Sequence, residues 1–252
     1  MSDAPDVAGD ATRSIALWDL PVRLVHWSFV VLMPALWWTA EKGNIKLHVT
    51  IGLIMLGLVL FRLVWGLVGS STARFAGFVR GPASIRAYIA SARAGTAEHV
   101  VGHNPLGALS VLGLLGLLTL QVGLGTIAQD TDAVASGPLN HLVSYDTAVA
   151  ASKAHELVFN LILALIVLHI AAILFYRFVK QEKLVAAMIT GRKWVPAGIT
   201  APRMAPLWRG LVVAVIAAVV AVWISWGVPP WGARWPWDKP PPVEGLSEDS
   251  YM

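Results

Sequence analysis

The chain has 252 residues, 56% hydrophobic and only 13% charged, with a formal net charge of +4 and no cysteine. Its mean hydropathy is +0.65, and soluble domains carry about a quarter charged residues, so an ordinary soluble protein is excluded. The lack of cysteine excludes disulfides, thiolate-held iron–sulfur clusters and haem attached through C-x-x-C-H, so any redox group is held non-covalently.

The first residues, 1–15, form a polar, mildly acidic arm without the basic–apolar–small pattern of a removable signal peptide. Five apolar runs follow that are long enough to span a bilayer: about Leu24 to Ala40, Val49 to Gly69, Leu106 to Ala128, His155 to Val179 and Gly210 to Val228. Basic residues alternate between the connections. Arg13 and Arg23, then Arg74, Arg80, Arg86 and Arg93, then Lys180, Lys183, Arg192, Lys193, Arg203 and Arg209 fall on one side. The other side carries Lys42, Lys46 and Lys153, with Arg234 and Lys239 in the tail. Positive charge marks the cytoplasmic side, which predicts a multi-pass membrane protein with its N-terminus in the cytoplasm and its C-terminus outside. Since the charge follows topology, no nucleic-acid partner is expected. The chain divides into a cytoplasmic arm (1–15), a transmembrane core (16–194), a cytoplasmic linker with the fifth helix (195–228), and a periplasmic tail (229–252) rich in Trp and Pro. Trp231, Trp235 and Trp237 in that tail suit an interfacial belt.

Four histidines carry the chemistry. His155 and His169 lie fourteen positions apart in the fourth span. Fourteen residues are almost four turns, so both imidazoles share a face, about 21 Å apart along the axis. By topology His155 lies near the periplasmic surface and His169 deeper, toward the cytoplasm. His48, at the outer start of the second span, matches His155 in depth, and His26, just inside the first, matches His169. Each cross-helix pair suits a b-type haem with two axial imidazoles, which leaves iron no open site and restricts it to electron transfer. A zinc site needs three or four clustered ligands, and none accompany either pair. The competing view is four separate histidines at helix ends, which His169, several turns from either end of its span, fits poorly.

Arg62 lies fourteen positions after His48 and Arg23 one turn before His26. Either arginine could pair with a haem propionate; either could instead be a snorkelling anchor. Gly52, one turn after His48, would admit a porphyrin face. Gly113, Gly116, Gly123 and Gly125 permit close approach in the third span, which helix packing also explains. His99, His103 and His141 lie in connections or at span ends and are read as solvated, although His103 could serve a quinone head group near the inner haem.

The segments WDLPVRLVHW, LHVTIG, FRLVWGLVGSSTARFAGFVRGP, GHNPLGAL and AHELVFNLILALIVLHI resemble the bacterial cytochrome b561 family, as do GPLNHLVS and MITGRKW. The wider group includes the b-type subunits of nickel–iron hydrogenases and respiratory formate dehydrogenases. The resemblance spans roughly Ala16 to Trp194. It implies an all-α integral membrane protein in which a four-helix bundle holds two haem b groups on His26, His48, His155 and His169, with the fifth helix as an addition. It also implies electron transfer between a periplasmic-side partner and the quinone pool. That partner would be a c-type cytochrome or a dehydrogenase or hydrogenase subunit, and a homodimer is open. Two alternatives remain: a superoxide:quinone oxidoreductase, which would make the chain an enzyme, and a membrane transporter or haem-assembly factor. Superoxide would need a basic outer funnel, whereas the outer connections carry Asp130, Asp132 and Asp146, and the tail Glu244, Glu248 and Asp249.

Overall fold

A computed structural model describes residues 12–94, 96, 101–132 and 135–227. The start of the N-terminal arm, His99 and the Trp/Pro-rich acidic tail lie outside the described residues. Five helices are long and apolar enough to cross a membrane: α1 (Leu20–Glu41), α2 (Ile45–Val68), α5 (Pro105–Ile127), α6 (Tyr145–Phe178) and α8 (Leu207–Ser225).

Side-chain caps fix where four of them begin. Asp19 Oδ1 accepts from Val22 N at 2.8 Å, Asn44 Oδ1 from Leu47 N at 3.2 Å, Asn104 Oδ1 from Gly107 N at 2.8 Å, and Ser144 Oγ from Thr147 N at 3.3 Å. Each cap satisfies one N–H that the first turn leaves without an intrahelical partner. The fourth span is the one that departs from expectation. It starts at Tyr145 rather than at His155, because YDTAVAASKA is too polar to read as membrane yet continues the helix behind the Ser144 cap. At 34 residues and about 1.5 Å per residue it exceeds the hydrocarbon thickness, so His155 sits nearly three turns inside the helix. Pro34 lies within α1, which runs through it as one helix.

Helix α2 is the hub. It packs on α1, α5 and α8, while α5 packs on α6. One apolar cluster, Met33, Met55, Val59, Leu118, Val158 and Ile162, fills the middle of α1, α2, α5 and α6. A second, built around Trp18, Val22, Phe61, Trp65 and Val213, lies toward one end and includes α8. Small residues set the α2–α8 contact: a Cβ on Gly57 would sit 3.6 Å from Ala221 Cβ, and one on Gly210 would sit 3.6 Å from Trp65. Such contacts bring helices close where lipid supplies no hydrophobic drive. Outward-facing side chains such as Leu67, Val167 and Leu211 are exposed and apolar, as a lipid-facing surface requires.

The short elements gather at one end, which also carries most of the arginines. They are β1 (Thr12–Ala16), α3 (Phe75–Phe78), α4 (Pro82–Arg93), α7 (Leu184–Thr190) and β2 (Arg192–Pro196). Strands β1 and β2 pair antiparallel, Ser14 opposite Trp194, so the arm is tied to the end of the core. Gly191, at φ 77°, ends α7 in the left-handed region that favours glycine. Its carbonyl accepts from Leu17 N at 2.8 Å and Trp18 N at 3.1 Å. At the opposite end Gly137 N donates to Ala128 O after α5, and a 3-10 turn at Asn140–Leu142 carries exposed His141.

Candidate haem-binding sites

The bundle brings His48 and His155 together near the end opposite the arginines. Their ring centroids are 6.2 Å apart and the rings are inclined at 76°. An imidazole nitrogen lies about 1.2 Å from its ring centre, and a metal–imidazole bond is about 2.0 Å. Two imidazoles on opposite sides of one metal therefore have centroids about 6.4 Å apart, close to the separation found. Each ring is also oriented through its other nitrogen. His48 Nδ1 donates to Leu36 O at 3.0 Å, with Thr39 Oγ1 beside it at 3.4 Å, and His155 Nδ1 donates to Gln121 O at 2.9 Å. A backbone bond of this kind fixes the tautomer and leaves Nε2 as the ligand nitrogen. Gly125 makes the second bond reachable: a Cβ there would lie 3.1 Å from His155 Cε1. Gly52, one turn after His48, would meet nothing within 4 Å if it carried a Cβ, whereas Gly116 and Gly123 are exposed on the face of α5 that carries Leu112 and Leu120.

The second pair lies toward the arginine-rich end. His26 of α1 and His169 of α6 are near enough to interact electrostatically. His169 Nδ1 is 3.2 Å from Ser110 Oγ, whereas His26 Nδ1 is buried with no hydrogen-bond partner. Toward the same end lies Arg62, which, like His169, acts electrostatically on His103. Arg62 is 7% exposed, its Nη1 is buried without a partner, and its guanidinium lies 5.3 Å from the centre of the Phe75 ring. Gly66 makes room for that ring, since a Cβ there would overlap Phe75 at 2.1 Å. A snorkelling anchor would carry its charge into water, and Arg62 does not. Arg23 differs: its Nε donates to Met188 O at 3.3 Å and its Nη2 to Ile189 O, so it holds the end of α7 against α1.

His103 is half-buried rather than solvated. Its ring packs between Trp18 and Phe78, with centroids at 4.6 and 4.7 Å, and its Nδ1 is buried without a partner. Burial, then the charges of Arg62 and His169, push this imidazole down to about 4. Nearby, Tyr176 OH accepts from Asn104 Nδ2 at 2.6 Å and lies 3.1 Å from Tyr88 OH; burial and that phenol pair raise Tyr88 above its usual range.

Among the described residues no group of three or more His, Asp or Glu converges on a metal-sized site. The donor sets are histidine pairs. A model of the prokaryotic cytochrome b561 family matches residues 17–191. The chain belongs to that family. It is a membrane b-type cytochrome that works in electron transfer, and its four-helix core is a haem-binding bundle. No curated protein and no solved structure matches the chain. The family match ends at Gly191, so α8 and the linker before it lie beyond it. The residues fit b-type haem on the structure's own terms: one pair of imidazoles stands at a metal-spanning distance, and a buried guanidinium keeps an Nη1 without a hydrogen-bond partner that an acidic propionate could take.

Two positions escaped the sequence. Gln121 supplies the carbonyl for His155, and its own Oε1 is buried without a partner. A lone amide side chain in an otherwise apolar span was the available signal. Ser110, beside His169, gave none, because a serine in a membrane helix usually bonds its own backbone.

Proposed function

We propose that the chain is a di-haem cytochrome b carrying electrons between a redox partner at one membrane face and a quinone at the other. His48 and His155 hold one haem, His26 and His169 the second. The observation that carries this reading is the first pair: centroids 6.2 Å apart with both Nδ1 atoms committed to backbone carbonyls. When bound, haem supplies a reversible one-electron iron couple near each membrane face. The protein's own part is orientation and electrostatics. Leu36 and Gln121 carbonyls aim the first pair, Ser110 steadies His169, and Arg62 offers the unpartnered Nη1 of its guanidinium to a propionate. Arg23, engaged with α7, keeps the α7 carbonyls and the adjoining loop against α1.

The positive-inside rule puts the arginine-rich end, and with it the His26/His169 centre, in the cytoplasm. The quinone exchanges near that centre. The partner docks at the periplasmic face, where Asp130, Asp132 and Asp146 favour a basic electron-transfer protein such as a c-type cytochrome over the superoxide anion. A superoxide:quinone oxidoreductase is therefore the second reading, and a transporter using unliganded histidines the third.

The test is haem stoichiometry. Protein purified in mild detergent should show two low-spin b haems per chain in a reduced-minus-oxidised spectrum, and His169→Ala should show one. Little haem, unchanged by the substitution, would overturn the reading in favour of the transporter.

A further inference from the structure

A cleft of about 790 Å³ opens at the arginine-rich end between α4, the 71–80 segment and the turn at 200–202. Among the described residues its wall includes Ser71, Ser84, Arg80, Tyr88, Phe78 and His103 and shows no carboxylate. Ser84 and Arg80 are exposed, so water reaches one side, while His103 presents a buried, unpartnered Nδ1 among rings of Trp18 and Phe78. His103 also feels the charges of Arg62 and His169. The cleft is thus polar where it meets solvent and ends on an imidazole that reaches toward the second histidine pair.

We propose that this cleft is a proton inlet and that His103 is its inner terminus, passing protons between cytoplasmic water and quinone chemistry at the His26/His169 centre. The inference rests on the electron-transfer reading above. Converting a quinone to a quinol takes two electrons, which the b-type centres deliver one at a time, and two protons, which water must supply. An uncharged imidazole suits the step. It gives the proton on one ring nitrogen to the quinone oxygen and takes one from water on the other, ending neutral as the other tautomer, and a turn of the ring restores the first. Among the described residues, Arg62 on α2 and His169 on α6 act on His103, Arg80 ahead of α4 and Tyr88 on it line the same cleft, and Tyr176 and Glu182 stand by Tyr88. The described lining itself holds no carboxylate that could replace His103. Hydroxyls of Ser71 and Ser84 and ordered water supply the remaining links, since waters bridge polar groups at little cost.

The chain has no cysteine, which makes a reversible plug available. Ala87 is exposed and lines the cleft. In the haem-loaded Ala87→Cys protein in inverted vesicles, a bulky, charged methanethiosulfonate reagent added outside should add its mass to the chain, and in right-side-out vesicles it should not. The modified protein should keep its haem spectrum, reoxidise more slowly with a short-chain ubiquinone analogue, recover when a thiol removes the adduct, and react with ferricyanide, which needs no proton, at the original rate. His103→Gln keeps a polar group in place and should slow the quinone reaction by about a hundredfold, the lower figure for a positioned proton donor, again sparing ferricyanide. Unchanged quinone rates in either protein would overturn the inlet, as would equal slowing with both oxidants, which marks a structural role. Wild-type protein that ferricyanide oxidises and the quinone analogue does not would overturn the quinone reading itself, and the inlet with it.

Discussion

His48 and His155 stand 6.2 Å apart between ring centres while each gives its Nδ1 proton to a backbone carbonyl of a third and a fourth helix. Leu36 belongs to α1 and Gln121 to α5, so the pair is braced by all four helices of the core. A change in any one of these helices therefore reaches the geometry of the pair.

The sharpest consequence concerns Gly125. Its missing side chain lets the His155 ring lie against α5, and alanine would place a Cβ 3.1 Å from Cε1. The ring must shift, straining its bond to Gln121. Outer partners of metal-bound histidines are worth roughly 10–100-fold in affinity. Gly125→Ala should weaken one haem by about that factor in a titration of apoprotein with haem, leaving the other unaffected. Equal weakening of both would point to general bundle damage.

How much of this was written in the sequence differs from residue to residue. The spans were legible because their apolar runs are long, and the sorting of His26, His48, His155 and His169 by depth followed from positive charge in the connections. The start of α6 was not, since its first ten residues mix polar side chains with alanine and only the Ser144 cap announces them. The β1–β2 pairing joins segments about 180 residues apart, a contact no local pattern encodes. Arg62 and Arg23 look alike in the chain. Only packing separates a buried guanidinium over Phe75 from one that holds the carbonyls of α7. His103 read as a loop histidine because its neighbours Trp18 and Phe78 come from distant segments.

Trp65 tests the end of the bundle where α8 joins. Its Nε1 donates to Asp19 Oδ2 at 3.0 Å, and both residues are buried. Trp65→Phe keeps most of the ring but leaves one carboxylate oxygen of the α1 cap without that partner. An unsatisfied buried acceptor costs about 1–3 kcal/mol. Thermal unfolding in detergent should move down measurably, and Asp19→Asn together with Trp65→Phe should lose less than the sum of the two single changes.

Arg62 bears on electron affinity. A buried cation beside the second centre stabilises the reduced, more negative state, so Arg62→Gln should lower the midpoint potential of the haem held there. A one-electron shift of about 59 mV corresponds to 1.4 kcal/mol, and a partly buried charge of this kind is worth tens of millivolts. Arg62→Lys should recover part of the loss, because lysine restores charge without the planar fork. Redox titration that found the same potential in all three proteins would separate Arg62 from the haem.

His103 sets an acid limit. Its folded-state value near 4, caused chiefly by burial, lies below the roughly 6.5 of an unfolded histidine. Between those two values the unfolded chain binds a proton that the folded chain refuses, so stability falls as pH drops from about 6.5 toward 4 and levels off below. At 1.36 kcal/mol per pH unit this one residue removes about 3 kcal/mol across that window. His103→Gln carries no such proton. Its unfolding temperature should therefore fall less than that of the wild type between pH 7 and pH 5, even where its stability at pH 7 is lower. Parallel loss in both proteins would place the acid sensitivity elsewhere.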